Sequence, residues 1–72
     1  MISMKKRRQM RARASTLAIG YRRLRPKATD EEISEHVKHK LTEEYGVSPA
    51  MLLVIAEIVL ELLKLWRAKR EE

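Results

Sequence analysis

The first regularity along the chain is a set of apolar side chains at helical spacing. Intervals of four, three, four and three residues separate five of them: Met10, Ala14, Leu17, Tyr21 and Leu24. Side chains at these intervals share one face of a helix. Pro26 ends the helix, because the residue before a proline is pushed out of helical geometry. The pattern predicts a helix over about residues 9–25, weakened at Gly20.

A second helix is predicted over residues 30–45. Thr29 precedes three acids, and the spacing from Thr29 to Glu32 fits a capping box, in which each residue accepts a hydrogen bond from the backbone of the other. Four apolar residues then recur at intervals of four and form one narrow stripe: Ile33, Val37, Leu41 and Tyr45. Gly46 follows as a favourable C-terminal cap.

The third predicted helix, residues 49–69, is the most apolar part of the chain. Ser48 is suited to the N-cap, and Pro49 to the first helical position, where its missing N–H is not needed. Between Ala50 and Trp66 only three residues are charged: Glu57, Glu61 and Lys64. A helix with so little polar surface must be covered from several directions.

These patterns predict an all-α protein of three helices, a helical hairpin (residues 29–72) preceded by a basic helix or arm (residues 1–28). A chain of 72 residues can form only a marginal core on its own, so we expect oligomerisation or docking to complete the fold. The predicted protein interface lies on the third helix and has nine members: Met51, Leu52, Val54, Ile55, Ile58, Val59, Leu62, Leu63 and Trp66. The alternative is a compact bundle in which the three helices cover one another completely.

Charge is segregated along the chain. The first 28 residues contain ten charged side chains, all of them positive: Lys5, Lys6, Arg7, Arg8, Arg11, Arg13, Arg22, Arg23, Arg25 and Lys27. Residues 29–72 contain six bases and ten acids and have a net charge of −4, whereas the arm, residues 1–28, has a net charge of +10. Such segregation is typical of a segment that meets a polyanion. Residues 1–8 lack an apolar period, and we expect them to be disordered unless a partner neutralises them.

The composition of the arm favours nucleic-acid phosphates as that polyanion. Seven of its ten bases are arginine, whose planar fork makes bidentate bonds to phosphate. The arm has only Tyr21 for stacking on bases and no evident base-reading helix, so we predict non-specific contact with the backbone. The alternatives are a solubility tail, an acidic protein surface, or an anionic membrane surface on which Trp66 and the basic helix lie flat.

Several other functions are excluded or disfavoured. The chain has no cysteine, and it lacks a glycine-rich phosphate loop and the grouping of nucleophile and base that a hydrolase needs. Four potential ligands lie at intervals of four, three and four, namely Glu32, His36, His39 and Glu43, but one straight helix cannot close a tetrahedron around a metal ion. We therefore predict no enzyme activity, small-molecule substrate, metal or cofactor.

A membrane-spanning helix and a secretory signal are also disfavoured, by the three charges in the apolar segment and by the basic stretch from Lys5 to Arg13. The prediction is an intracellular protein or a component of a nucleoprotein particle. The short chain, basic start and apolar helix resemble small accessory proteins of tailed-phage particles in general character, without a shared motif. This favours a structural or assembly role, and the alternative is a protein adaptor or small regulator. A ribbon-helix-helix repressor is disfavoured because the alternating strand it needs is lacking.

Overall fold

The described part of the chain folds into three α-helices, as the apolar patterns predicted. The computed structural model describes residues 2–71 and contains no strand within that range. The helices are α1 (Met4–Leu24), α2 (Asp30–Tyr45) and α3 (Pro49–Glu71). The predicted all-α class and the three-helix order are therefore confirmed. Among the described residues, no helix is both long enough and apolar enough to cross a bilayer.

The ends of α2 and α3 are fixed by the predicted local signals. The Thr29 hydroxyl accepts a hydrogen bond from the Glu32 backbone N–H at 3.2 Å, and the Glu32 carboxylate accepts one from the Thr29 N–H at 3.3 Å. Gly46 has a φ of 112°, a conformation that strains any residue with a Cβ. At the start of α3 the Ser48 hydroxyl accepts a hydrogen bond from the Met51 N–H at 3.2 Å. Each boundary follows from side chains within four residues of it.

The start of α1 differs from the sequence-based expectation. Ser3 is the N-cap, and its hydroxyl accepts a hydrogen bond from the Lys6 N–H at 3.2 Å. The helix therefore begins at Met4, and the expectation of disorder over residues 1–8 is wrong for residues 4–8. Met1 lies outside the described residues.

Residues 4–8 are helical because acids of the same chain neutralise part of the positive charge in this region. The Arg7 guanidinium lies 2.8 Å from a Glu57 oxygen and 3.6 Å from a Glu61 oxygen, and Arg11 lies 2.7 Å from the other oxygen of Glu61. Two acids of α3 thus offset the repulsion between neighbouring cations that was expected to keep this segment unfolded.

Apart from Met10, α1 contributes only alanines to the described core, whereas α2 and α3 contribute larger residues. Among the residues whose burial the structure describes, ten apolar ones are buried: Met10, Ala14, Ala18, Ile33, Val37, Leu41, Met51, Ile55, Ile58 and Val59. The apolar face predicted for α1 is buried at its amino end, where Met10 and Ala14 lie in the core. At its carboxyl end Leu24 is 84% exposed, and Ala18 is buried instead. Leu24 is the last residue of the helix, and the alanines at positions 14 and 18 let α1 approach its neighbours closely.

Side-chain contacts establish the directions of the helices. The α1–α2 pair is antiparallel. Arg13, in the middle of α1, contacts Glu44 at the end of α2, whereas Tyr21, near the end of α1, stacks on His36 in the first half of α2. In contrast, α1 and α3 run in the same direction. Arg7 contacts Glu57, and further along both helices Arg22 lies over Trp66.

The helices α1 and α2 cover only part of α3. Of the nine residues predicted to form a protein interface, Met51, Ile55, Ile58 and Val59 lie in the chain's own core. Four more are partly buried against that core, namely Val54, Leu62, Leu63 and Trp66. Leu52 remains 45% exposed. The three helices therefore do not cover one another completely, and whether the residues of α3 that stay exposed meet another subunit remains a prediction.

Candidate nucleic-acid interface

The ten cations of the arm fall into three groups in the structure. Three are in ion pairs with acids: Arg7, Arg11 and Arg13. Three lie over aromatic rings: Lys6, Arg22 and Arg25. Within the described residues, the remaining four contact neither an acid nor a ring: Lys5, Arg8, Arg23 and Lys27. The cations are therefore not equally available to a polyanion.

The ion-paired arginines are neutralised locally. In addition to the contacts of Arg7 and Arg11 with α3, the Arg13 Nε donates to both carboxylate oxygens of Glu44, at 2.9 and 3.1 Å. These arginine side chains are between one third and one half exposed, so each pair contributes about 0–1 kcal/mol to stability. A phosphate at these positions must displace a carboxylate, which reduces the net gain in binding.

Aromatic rings, unlike carboxylates, do not offset the positive charge of the cations that lie over them. The Arg22 guanidinium carbon lies 5.2 Å from the centre of the Trp66 ring, and that of Arg25 lies 5.8 Å from the centre of the Tyr21 ring. A cation over a ring face is attracted to the π electrons without losing its hydrogen-bond donors. The ring contact thus restrains the position of Arg22 and leaves its planar fork able to bind an oxyanion.

An open cleft brings several of these groups together between the carboxyl-terminal halves of α1 and α3. Its volume is about 450 Å³, and five side chains line it: Ile19, Arg22, Arg23, Trp66 and Lys69. We call this surface the basic cleft. Three of its residues are cations, and no carboxylate is among its described lining residues. Its chemistry suits a ligand that carries both negative charge and a flat or apolar part.

The basic cleft forms because α1 and α3 run in the same direction. Arg22 and Arg23 lie in the last turn of α1, and Trp66 and Lys69 lie near the end of α3. Each helix supplies two of these four side chains, and only the parallel packing of α1 and α3 brings all four together. The site is therefore a product of tertiary structure.

Beyond the basic cleft, the outward face of α1 carries little charge in its middle. Lys5 and Arg23 are 18 residues apart, which is five helical turns or about 27 Å on one face. Between them that face presents Ala12, Thr16 and Gly20, all exposed. The free cations of α1 therefore concentrate at its two ends, an arrangement that a count of charges in the sequence does not show.

The potential metal ligands of α2 have other contacts. Glu32 belongs to the capping box, and His39 lies 2.8 Å from a Glu43 oxygen. His36 stacks on Tyr21 with ring centres 4.4 Å apart and an interplanar angle of 15°. Within residues 2–71, no group of acids and histidines is arranged to hold a metal ion. The structure therefore points to helix-stabilising and packing roles for these side chains.

The His36 ring also has a perturbed proton equilibrium. Partial burial lowers the pKa of His36 below its ordinary value of 6.5, and the positive charges of Lys40, His39 and Arg25 lower it further. Burial and these charges therefore favour the neutral form of the imidazole that stacks on Tyr21.

Sequence reasoning missed part of this site. Ile19 and Lys69 were not predicted to take part in nucleic-acid binding, and Trp66 was assigned to protein association. One sequence feature could have drawn attention to the end of α3, because Lys64, Arg67 and Lys69 surround the single tryptophan of the chain. That feature alone does not reveal that Arg22 and Arg23 lie beside it.

No family model matches the chain, and comparisons with curated proteins and with solved structures also found no match. The function is therefore inferred from the geometry of the chain itself.

Proposed function

We propose that this is a small, non-enzymatic structural protein of a nucleoprotein particle. In this proposal its cations bind nucleic-acid phosphates without sequence specificity, and the outer face of α3 contacts other protein subunits. A phage-type virion is one such particle, in keeping with the short chain and its basic start. The basic cleft is the observation that carries the proposal, because it gathers cations without a carboxylate among its described lining.

The groups in the basic cleft match the parts of a nucleotide. Arg22 and Arg23 supply planar forks for phosphate oxygens, and Lys69 adds a point charge. The partly exposed Trp66 ring offers a stacking surface for a base, and stacking of this kind tolerates every base. The lining contains no Asn or Gln to distinguish base edges, which supports non-specific binding.

The three ion-paired arginines have a secondary role in this proposal. Their carboxylate partners offset the gain from a phosphate contact, so the free cations supply most of the electrostatic attraction. The ten arm residues predicted to bind nucleic acid are thus proposed to contribute unequally.

The proposal predicts different effects for two pairs of arginines. Replacing Arg22 and Arg23 by glutamine should weaken binding to a labelled single-stranded oligonucleotide at least ~10-fold. The slope of log affinity against log salt concentration should become shallower by about 1.4, or 0.7 for each lost phosphate contact. Replacing Arg7 and Arg11 removes the same charge and should weaken binding less than about threefold. Fluorescence anisotropy over a range of salt concentrations measures both quantities.

Two outcomes would count against the proposal. Equal losses in the two double variants would show that the basic cleft has no special role, and absence of binding by the wild-type chain at low salt would remove nucleic acid from the function. Trp66 is the only tryptophan, so its fluorescence reports directly on the basic cleft. Binding that leaves this fluorescence unchanged would place the nucleic acid elsewhere.

A second candidate function is an adaptor that binds an anionic membrane surface. Ile19 and Trp66 lie beside Lys69 in the basic cleft, and aromatic and cationic side chains together suit the headgroup region of a bilayer. Vesicles with and without anionic lipid distinguish the candidates. Stronger binding to anionic vesicles than to an oligonucleotide of equal charge would favour the membrane.

A further inference from the structure

The outer face of α3 carries an apolar strip that the described part of the chain covers only in part. Its five members are Leu52, Leu53, Ala56, Leu60 and Leu63, which we call the leucine strip. Leu53 and Leu60 are 68% and 57% exposed. From Leu53 the members follow at intervals of three, four and three residues. This is the spacing of a helix that packs lengthwise against another helix.

Two opposite charges lie along one edge of the leucine strip. At 100° per residue, Glu57 and Lys64 are only about 20° apart around α3, but two turns or about 10 Å separate them along it. They therefore cannot pair within one helix. Glu57 contacts Arg7, yet its side chain remains 58% exposed. Lys64 is exposed and contacts no acid among the described residues.

The order of these charges favours one arrangement of two helices. When two identical helices pack antiparallel about a two-fold axis, the same edge of each helix faces its counterpart. Glu57 of one copy then faces Lys64 of the other, and the symmetry repeats the pair. In a parallel pair, the edge of α3 that carries Glu57 and Lys64 faces the opposite edge of the other α3, the one nearer α2. Glu57 of one copy and Lys64 of the other then do not meet.

We propose that a second copy of this chain packs on the leucine strip, with the two α3 helices antiparallel. Pairing position 57 with position 64 places the two-fold axis midway between them, at Leu60 and Glu61. The leucine strip is then covered at its centre by Leu60 and Leu63 of both copies. This inference deepens the association part of the proposed function and does not require nucleic acid.

The limited size of the surface indicates a reversible dimer. Stable interfaces bury about 800 Å² on each partner, and one helix face with three exposed leucines provides less. Apolar patches of a few hundred Å² are nevertheless typical of interaction sites on soluble proteins. We therefore expect a dimer that forms at high protein concentration and dissociates on dilution.

Cysteine cross-linking tests the direction of the helices, because the chain has no cysteine of its own. In the proposed dimer the two copies of position 60 are about 2 Å apart along the axis, whereas those of position 53 are about 22 Å apart. A disulfide needs Cα atoms within about 7 Å. Under oxidising conditions Leu60→Cys should cross-link to itself and Leu53→Cys should not.

Each other result overturns the proposal. Cross-linking of both variants would indicate parallel helices, cross-linking of Leu53→Cys alone would indicate another contact, and absence of cross-linking in both would show that no such dimer forms. Both positions are exposed, so the variants should fold like the wild type. Unchanged helicity by circular dichroism verifies this.

Charge reversal tests the pairing independently. Lys64→Glu and Glu57→Lys should each weaken self-association about tenfold, because like charges then face each other across the axis. Glu57→Lys also removes the contact with Arg7, so circular dichroism must show that its helicity equals that of the wild type. A mixture of the two variants should form a heterodimer, since each supplies the charge that the other lacks. Sedimentation velocity measures all three samples without nucleic acid. Undiminished dimerisation of Lys64→Glu, or no association in the mixture, would refute the charge pairing.

Discussion

The two ends of α1 contain similar arginines in different surroundings. Near the amino end, Arg7 and Arg11 contact carboxylates of α3 at 2.8 and 2.7 Å. Near the carboxyl end, Arg22 and Arg23 line the basic cleft, where Trp66 replaces the acids. The amino end uses its charge to hold the bundle together, and the carboxyl end leaves its charge available. A basic segment is therefore characterised by the neighbours of its cations as well as by their number.

The composition of α3 produces this difference. Its acids Glu57 and Glu61 lie in the middle of the helix, beside the first turns of α1. Lys69 lies near its end, beside the last turn of α1. Because the two helices are parallel, the amino end of α1 lies beside the acids of α3, and the carboxyl end of α1 lies beside Lys69.

The largest effect is expected for the core residue at the amino end. Met10 is fully buried, and Met10→Ala should lower the free energy of unfolding by about 2–5 kcal/mol, because it removes transfer free energy and leaves a cavity. A domain of this length has a total stability of about 4–11 kcal/mol, so the variant should melt far below the wild type. Thermal denaturation followed by circular dichroism measures the difference.

Leu24→Ala is the matched control for that experiment. Leu24 belongs to the predicted apolar face of α1 but is 84% exposed, so its truncation should change stability by no more than about 0.5 kcal/mol. Comparable destabilisation by both variants would contradict the placement of the core.

A smaller effect is expected from the ion pairs at the same end. Arg7→Gln with Arg11→Gln should lower the free energy of unfolding by about 0.5–2 kcal/mol, because each partly exposed pair contributes no more than about 1 kcal/mol. The loss should shrink in high salt, which screens exposed charges. Urea denaturation at two salt concentrations measures it. A loss that salt does not change would mean that packing of the arginine stems is responsible.

The smallest effect is expected at the carboxyl end, where Tyr21 stacks on His36. The folded chain holds the pKa of His36 below 6.5, so the unfolded chain binds the proton more readily. The contribution of His36 is therefore present above pH 6.5 and declines as the pH falls towards the lowered pKa. Melting temperatures measured on both sides of pH 6.5 should fall on acidification less in His36→Gln than in the wild type. Identical pH dependence of the two would exclude His36 as the cause.

Local sequence determined most of the fold. The capping box of Thr29 and Glu32, the Ser48 cap and the stop before Pro26 involve residues at most four positions apart. They could therefore be recognised without tertiary information. The apolar stripe of α2 was predicted for the same reason, and its residues Ile33, Val37 and Leu41 are all buried.

The features that were missed depend on contacts distant in sequence. The order of residues 4–8 involves an ion pair between Arg7 and Glu57, which are 50 positions apart. The basic cleft likewise requires Trp66 to lie beside Arg22. Ala18 was missed because a small residue gives little hydrophobic signal, although its size suits close helix packing. Sequence periodicity identified the helices, and only their packing shows which cations are free.

The parallel course of α1 and α3 has an electrostatic consequence for what the basic cleft can hold. Each helix carries about half a negative charge at its carboxyl terminus, and these two termini approach the same region. Part of the positive charge of Arg22, Arg23 and Lys69 therefore offsets the helix dipoles. A single small anion gains little there, whereas a polymer of linked phosphates that also reaches Lys5 and Arg8 gains from cations at both ends of α1.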